Sequence, residues 1–168
     1  MEPLTPPELW PPPPFEKIFS SPTGWYAKIP FVKSWARRKA YRKYEIEYLD
    51  PIANEIELQL RNRRPSKSAP WGKTDTDHII LRALAEAVSQ ESGIPNVCLH
   101  PKDSFLLLCH ATPSDNLTPF LFYIKVREQL SIDIGWDEMR QWANNDFCVE
   151  KLVAHCSEKV KLATHNEK

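Results

Sequence analysis

The chain has 168 residues, 42% hydrophobic and 26% charged, which suits one ordinary soluble domain with an appendage. Its 22 basic and 22 acidic residues cancel, which excludes a protein that wraps nucleic acid with its whole surface. No apolar run reaches the roughly 18–20 residues that cross a bilayer, so no transmembrane segment is expected.

The charge is nevertheless divided. Residues 1–72 carry 12 Lys and Arg against 8 Asp and Glu, and residues 73–168 carry 10 against 14. The halves can attract each other, so docking of 1–72 on 73–168 is one expectation, and a basic half seeking an acidic surface is another. The first residues lack the charged-then-apolar pattern of a signal peptide. Cys98, Cys109, Cys148 and Cys156 form no C-x-x-C pair. A reducing cytoplasm with free thiols is the simplest setting.

Eight of the 16 prolines fall in residues 1–22. Proline lacks an amide donor and fixes φ, so residues 1–30 read as an extended, Pro-rich segment. "WPPPP" could dock on a partner's aromatic groove, but a tail laid over the protein's own surface is the simpler reading. Residues 31–72 read as a helical extension and a linker. Over 31–48, Trp35, Ala36, Ala40, Tyr44, Tyr48 and Leu49 fall near one helical face. Arg37, Arg38, Lys39, Arg42 and Lys43 form a basic cluster. Asp50 followed by Pro51 predicts an N-cap and the first residue of a second helix, with Ile52, Ile56 and Leu60 inward to about residue 63. The polar, proline-bearing stretch 63–77 is the predicted linker.

Residues 73–168 are more regular and predict a helical domain. Asp77 or Thr76 can cap a helix running to about Glu91, with Ile80, Leu84, Ala87 and Val88 on one face. Gly93 supplies its left-handed stop. A long connection follows, with a short apolar turn at 105–108. In "SDNLTPFLFYIKVREQL", Pro119 delays the next helix to Thr118. A short irregular helix is expected after Leu130. The last helix, from 147 to about 162, has Val149, Leu152, Val153, Cys156 and Val160 at i, i+3, i+4, i+7 and i+11. The fold class expected is all-α.

The order and spacing of four segments in this half resemble the acyl carrier protein family, over about residues 76–162. "LHPKDSF" is similar to the segment that tucks the long first loop onto the core. "DNL" stands at the Asp-Ser-Leu position of the family. "VREQLSIDIGWDE" resembles the end of the second helix and the start of the short third. "FCVEKLVAHC" resembles the start of the final helix. The resemblance implies a four-helix bundle, three main helices and one short, with an N-terminal helical extension. It also implies where phosphopantetheine would be attached: a Ser hydroxyl that forms a phosphodiester. Here Asp115 and Leu117 flank Asn116, whose amide cannot form that bond. Ser114, two residues earlier, is the fallback attachment residue, and its ordinary role would be capping or loop bonding. Family carriers also present an acidic face on this helix. This chain has Thr118 and Leu121 at two such places and Arg127 at another, which removes steering toward the usual basic partners. Phe120, Leu121, Phe122 and Tyr123 are apolar in succession. One helical face cannot bury all four, so some contact another element, such as the N-terminal half, or form a protein-binding patch. With Arg127 they are the candidate protein-binding residues.

Other constellations point to ordinary roles. Cys98 with His100, Cys109 with His110 and His155 with Cys156 fit no standard zinc spacing, so no metal is expected. Nothing places an orienting group or an oxyanion hole beside a Cys-His pair. Asp75, Asp77, Asp137 and Glu138 read as helix-start acids favoured by the macrodipole. The expectation is therefore a non-catalytic, acyl-carrier-like protein, without a prosthetic group, that acts by protein–protein contact. A divergent carrier bearing phosphopantetheine on Ser114 is the alternative. A peripheral module that binds anionic lipid or nucleic acid through residues 33–43 is a second.

Overall fold

Helices supply every regular element among the residues that the computed structural model describes: 2–19, 29–63, 71–111, 117–144 and 147–166. The one β feature among them is an isolated antiparallel bridge between Ser104 and Cys148. The protein is all-α.

The N-terminal segment is irregular, with one hydrogen-bonded turn in which the Trp10 N–H donates to the Pro7 carbonyl at 3.0 Å, and it leads to α1, a single turn at Phe15–Ile18. The long helix that follows differs from expectation. α2 (Pro30–Tyr44) passes through a π-helical turn (Glu45–Leu49) straight into α3 (Asp50–Arg61). Asp50 has φ −61° and ψ −45°, so it is helical and caps nothing. The reason lies in Pro51. Inside a regular helix its ring would strike the carbonyl four residues back, at Glu47. The wider turn relieves that clash, and the Asp50 N–H donates to the Glu45 carbonyl, five residues back. The extra residue also rotates the helix by about 100°. Tyr44 and Ile52 thereby come onto one side, and both are buried. Trp35 points the other way, into solvent, and does not share the face predicted for it.

α4 (Asp75–Ser92) begins at Thr74 rather than at Thr76 or Asp77. The Thr74 hydroxyl accepts the Asp77 N–H at 3.1 Å, and the Asp77 carboxylate accepts the Thr74 N–H at 3.0 Å. This reciprocal pair satisfies two otherwise orphaned amides. Gly93, at φ 67°, ends the helix as predicted. The long connection carries α5 (Phe105–Cys109), capped by Ser104. Then come α6 (Thr118–Leu130), α7 (Trp136–Asn144) and α8 (Val149–Asn166).

α6 and α8 both lie against α4, and α5 is held between α6 and α7. Phe105 sits at the centre, edge-on to Phe122 of α6 and to Trp142 of α7, each 6.2 Å away. The 101–105 stretch is sewn to the start of α8. The Phe105 N–H donates to the Phe147 carbonyl at 2.8 Å, the Val149 N–H to the Asp103 carbonyl at 2.9 Å, and the Glu150 N–H to the Pro101 carbonyl at 2.9 Å.

The core does not stop at residue 73. Leu4, Ile52, Ile56 and Leu60 belong to the same buried cluster as Ile80, Leu84, Phe105, Phe122 and Leu152. Residues 31–72 were expected as an extension, yet α3 is a core helix. Each fully buried Ile, Leu or Phe here contributes about 1.5–3 kcal/mol of transfer free energy. Seven of the 15 residues of the predicted linker, 64–70, lie outside the described residues.

Candidate functional site

α6 is the element on which the sequence concentrates its candidates. Its inner face is set by Thr118, Phe122 and Val126 at i, i+4 and i+8, all fully buried. Phe122 is therefore a core residue and is corrected from the list of partner-binding candidates: its ring packs edge-on to Phe105. Leu121 and Tyr123 lie at the flanks, half-buried against the core. Two apolar side chains at the N-terminal end remain outward, Leu117 at 46% exposed and Phe120 at 41%. Ile124, one turn on from Phe120, is half-buried and extends the strip. Ser114, Asp115 and Asn116 lie outside the described residues, immediately before Leu117.

Both cations on α6 are engaged within the protein, and Glu128 is exposed. Lys125 Nζ pairs with Glu86 of α4 at 3.1 Å. Arg127 donates to the Tyr123 hydroxyl at 3.2 Å, and that hydroxyl donates to Asp133 Oδ1 at 2.9 Å. The helix accordingly shows neither the acidic face of a carrier nor a loose basic one.

The Pro-rich segment is laid on the protein itself, antiparallel to the long helix. Thr5 and Gln59 exchange hydrogen bonds of 2.9–3.2 Å. The Tyr44 hydroxyl donates to the Pro13 carbonyl at 2.8 Å, and Phe15 packs edge-on to Tyr41 and Tyr44. Trp10 meets His110 edge-on at 5.1 Å, just past α5. Burial of His110 holds its pKa below the ordinary value. The anchor of the segment is Asp103, which is fully buried. Its carboxylate accepts both Arg63 guanidinium nitrogens at 2.6 Å, the Leu4 N–H at 2.8 Å and the His100 N–H at 2.7 Å. Arg63 also donates to the Cys98 and Glu2 carbonyls at 2.9 and 3.0 Å. Residues 1–72 thus dock on 73–168 through α3, the 98–110 stretch and this ion pair.

The basic residues Arg37, Arg38, Lys39, Arg42 and Lys43 all lie on exposed α2. An open groove of about 590 Å³ is lined by Arg37, Arg38 and Arg42, by Glu16 and Glu45, and by Phe15, Ser34 and Tyr41. Arg42 pairs with Glu45 at 3.1 Å and Lys43 with Glu47 at 3.4 Å. The Arg37 guanidinium lies 5.9 Å from the Phe15 ring centre, and Lys39 Nζ lies 5.4 Å from that of Trp35.

The remaining polar groups serve the fold. Among the described residues no three His, Cys, Asp or Glu side chains gather as a metal site would need. Burial pushes the Cys109 thiol far up and that of Cys156 to about 12, so neither is a thiolate nucleophile. Burial would raise Glu138, but Lys159 and His155 bind its carboxylate and hold it below its usual value. Asp77 is likewise lowered. Burial opposes the shift, but the Ser157 hydroxyl at 2.6 Å and the Lys73 and Thr74 amides outweigh it.

Reading the sequence missed the Arg63–Asp103 pair and the Trp10–His110 contact. The partners are 40 and 100 positions apart, and no local periodicity links them. Ile124, the i+4 neighbour of Phe120, is the one addition to this strip that helical spacing signals. Comparisons with protein-family models, with curated proteins and with solved structures found no match for this chain.

Proposed function

We propose that this protein is a non-catalytic, acyl-carrier-like helical bundle whose prosthetic-group position is closed by Asn116, and that it acts through protein contact at the N-terminal end of α6. The observation that carries the reading is the two-sided character of α6. Thr118, Phe122 and Val126 fix it to the core, while Leu117, next in sequence to Asn116, and Phe120 face outward. The element order supports the same reading: a first helix, a long connection with a short helical turn, a second helix, a short third and a final one. The tuck of Asp103–Phe105 against the start of α8 agrees with the role that the resemblance gives to "LHPKDSF".

The chemistry follows from the residue types. An amide nitrogen cannot replace a Ser hydroxyl in a phosphodiester, so an acyl group has no thiol arm to ride on. What remains useful is shape: a rigid helix end with two apolar side chains and no net charge of its own to steer toward a basic enzyme face. Such a surface suits a contact whose affinity comes from buried apolar anchors.

The test is the intact mass of the wild-type chain after co-expression with a broad-specificity phosphopantetheinyl transferase. The expected mass is that of the unmodified polypeptide. A gain of one phosphopantetheine, abolished by Ser114→Ala, would overturn the proposal in favour of a relocated attachment.

A further inference from the structure

α2 has a composition that the bundle does not use. Its 15 residues hold six cations, Lys33, Arg37, Arg38, Lys39, Arg42 and Lys43, and no acid. Helical geometry sorts them. Phe31, Trp35, Arg38, Lys39 and Arg42 stand at i, i+4, i+7, i+8 and i+11, which is one stripe. The opposite side carries Tyr44, buried, with its hydroxyl on Pro13, and Arg37 over Phe15. The stripe therefore faces away from the body. At its N-terminal end, Phe31 is 83% exposed and Trp35 64%, with exposed Ile29 beside them. Rings this open have no role in the core. Cations follow toward the C-terminal end, over a helix about 22 Å long.

We infer that this stripe is a membrane-surface contact, and that α2 lies in the headgroup layer of an anionic phospholipid bilayer. Aromatic side chains prefer the boundary between headgroups and acyl chains, and the Arg and Lys beside them meet lipid phosphates and carboxylates. Arg38 and Arg42 line the groove together with Ser34 and with the carboxylates Glu16 and Glu45. Arg42 pairs with Glu45 at 3.1 Å, so Arg38 and Lys39 are the cations on which the contact with lipid phosphates chiefly rests. Two observations favour lipid over nucleic acid. Lys39 Nζ already lies over one face of the Trp35 indole, which leaves a base less of the ring to stack on. The whole chain has no net charge to draw in a polyanion, whereas an interfacial helix needs only its own face. The apolar part is confined to Ile29, Phe31 and Trp35, so attachment leans on charge and yields to salt.

Co-sedimentation of the full chain with vesicles tests this. Neutral phosphatidylcholine vesicles are compared with vesicles holding about 30% phosphatidylserine. Binding is expected to the anionic vesicles alone, and to be lost in about 0.5 M salt. Replacing Arg38, Lys39 and Arg42 together by Gln should weaken it by about a hundredfold, given roughly fivefold per cation at such a surface. Phe31→Ala with Trp35→Ala should weaken it separately, without changing the circular dichroism of the fold, because both rings are exposed. No retention on anionic vesicles at low salt would overturn the inference. So would unchanged binding of the Gln variant, or retention on single-stranded RNA in place of vesicles.

Discussion

At the scale of single residues, Asp103 and Arg63 join three parts of the chain that otherwise share only apolar contacts. Asp103 is sealed from solvent, and its four accepted hydrogen bonds come from the N-terminal segment, the long connection and the end of α3. Removing one member leaves a buried charge without its counterpart. Arg63→Ala or Asp103→Ala should each lower unfolding free energy by about 3–5 kcal/mol in urea titrations. The pair Arg63→Met with Asp103→Leu should cost less than either alone, because no buried charge is stranded. None of this was readable beforehand: Arg63 stood at the mouth of a predicted linker, and Asp103 in a loop. His110 gives a second residue-scale outcome. Its folded pKa lies below the ordinary 6.5 because burial disfavours the cation. Just under 6.5 the unfolded chain thus binds the proton that the folded chain refuses. Stability is therefore intact above 6.5 and falls as the pH drops below it, toward the lowered folded value. Asp77 and Glu138 act further down, below their ordinary 3.8 and 4.5. Melting temperatures between pH 7 and pH 5 should fall in the wild type, and fall less in His110→Phe, which keeps an aromatic edge for Trp10.

At the scale of elements, periodicity was a good guide wherever one face of a helix is buried. Ile80, Leu84, Ala87 and Val88 of α4, and Val149, Leu152, Val153 and Cys156 of α8, are in the core as their spacing required. It failed where an element departs from 3.6 residues per turn. Asp-Pro reads as a helix start, yet the π turn lets the helix run through Pro51 and resets its inward face. It failed also for the aromatic run of α6, where four consecutive apolar residues carry no period and only packing decides which goes inward. Phe122→Ala should cost about 3–5 kcal/mol, as for a fully buried ring. Phe120→Ala, at a ring 41% exposed, should cost less than half of that. Equal losses from the two, measured by thermal or urea unfolding, would contradict the assignment of inner and outer faces.

At the scale of the whole molecule, the charge contact that joins the halves among the described residues is the Arg63–Asp103 pair, whereas the cations of α2 lie on an exposed helix. What wraps the second half is the Pro-rich segment together with α3. The domain boundary placed near 72 follows composition. The core disregards it, because Ile52, Ile56 and Leu60 belong to the same buried cluster as residues of α4 and α5. The wrapping reaches α5 and His110 and leaves Leu117 and Phe120 exposed. The central claim is that a carrier-like bundle persists here while its attachment hydroxyl has been lost. Restoring that hydroxyl tests it most directly. Intact mass is measured for wild type and for Asn116→Ser, each co-expressed with a broad-specificity phosphopantetheinyl transferase. The bundle reading predicts one added phosphopantetheine on Asn116→Ser and none on wild type. An Asn116→Ser chain that folds, by its circular dichroism, and stays unmodified even with stoichiometric transferase and coenzyme A in vitro, where the slower encounter of a helix without the acidic face is offset, would contradict it.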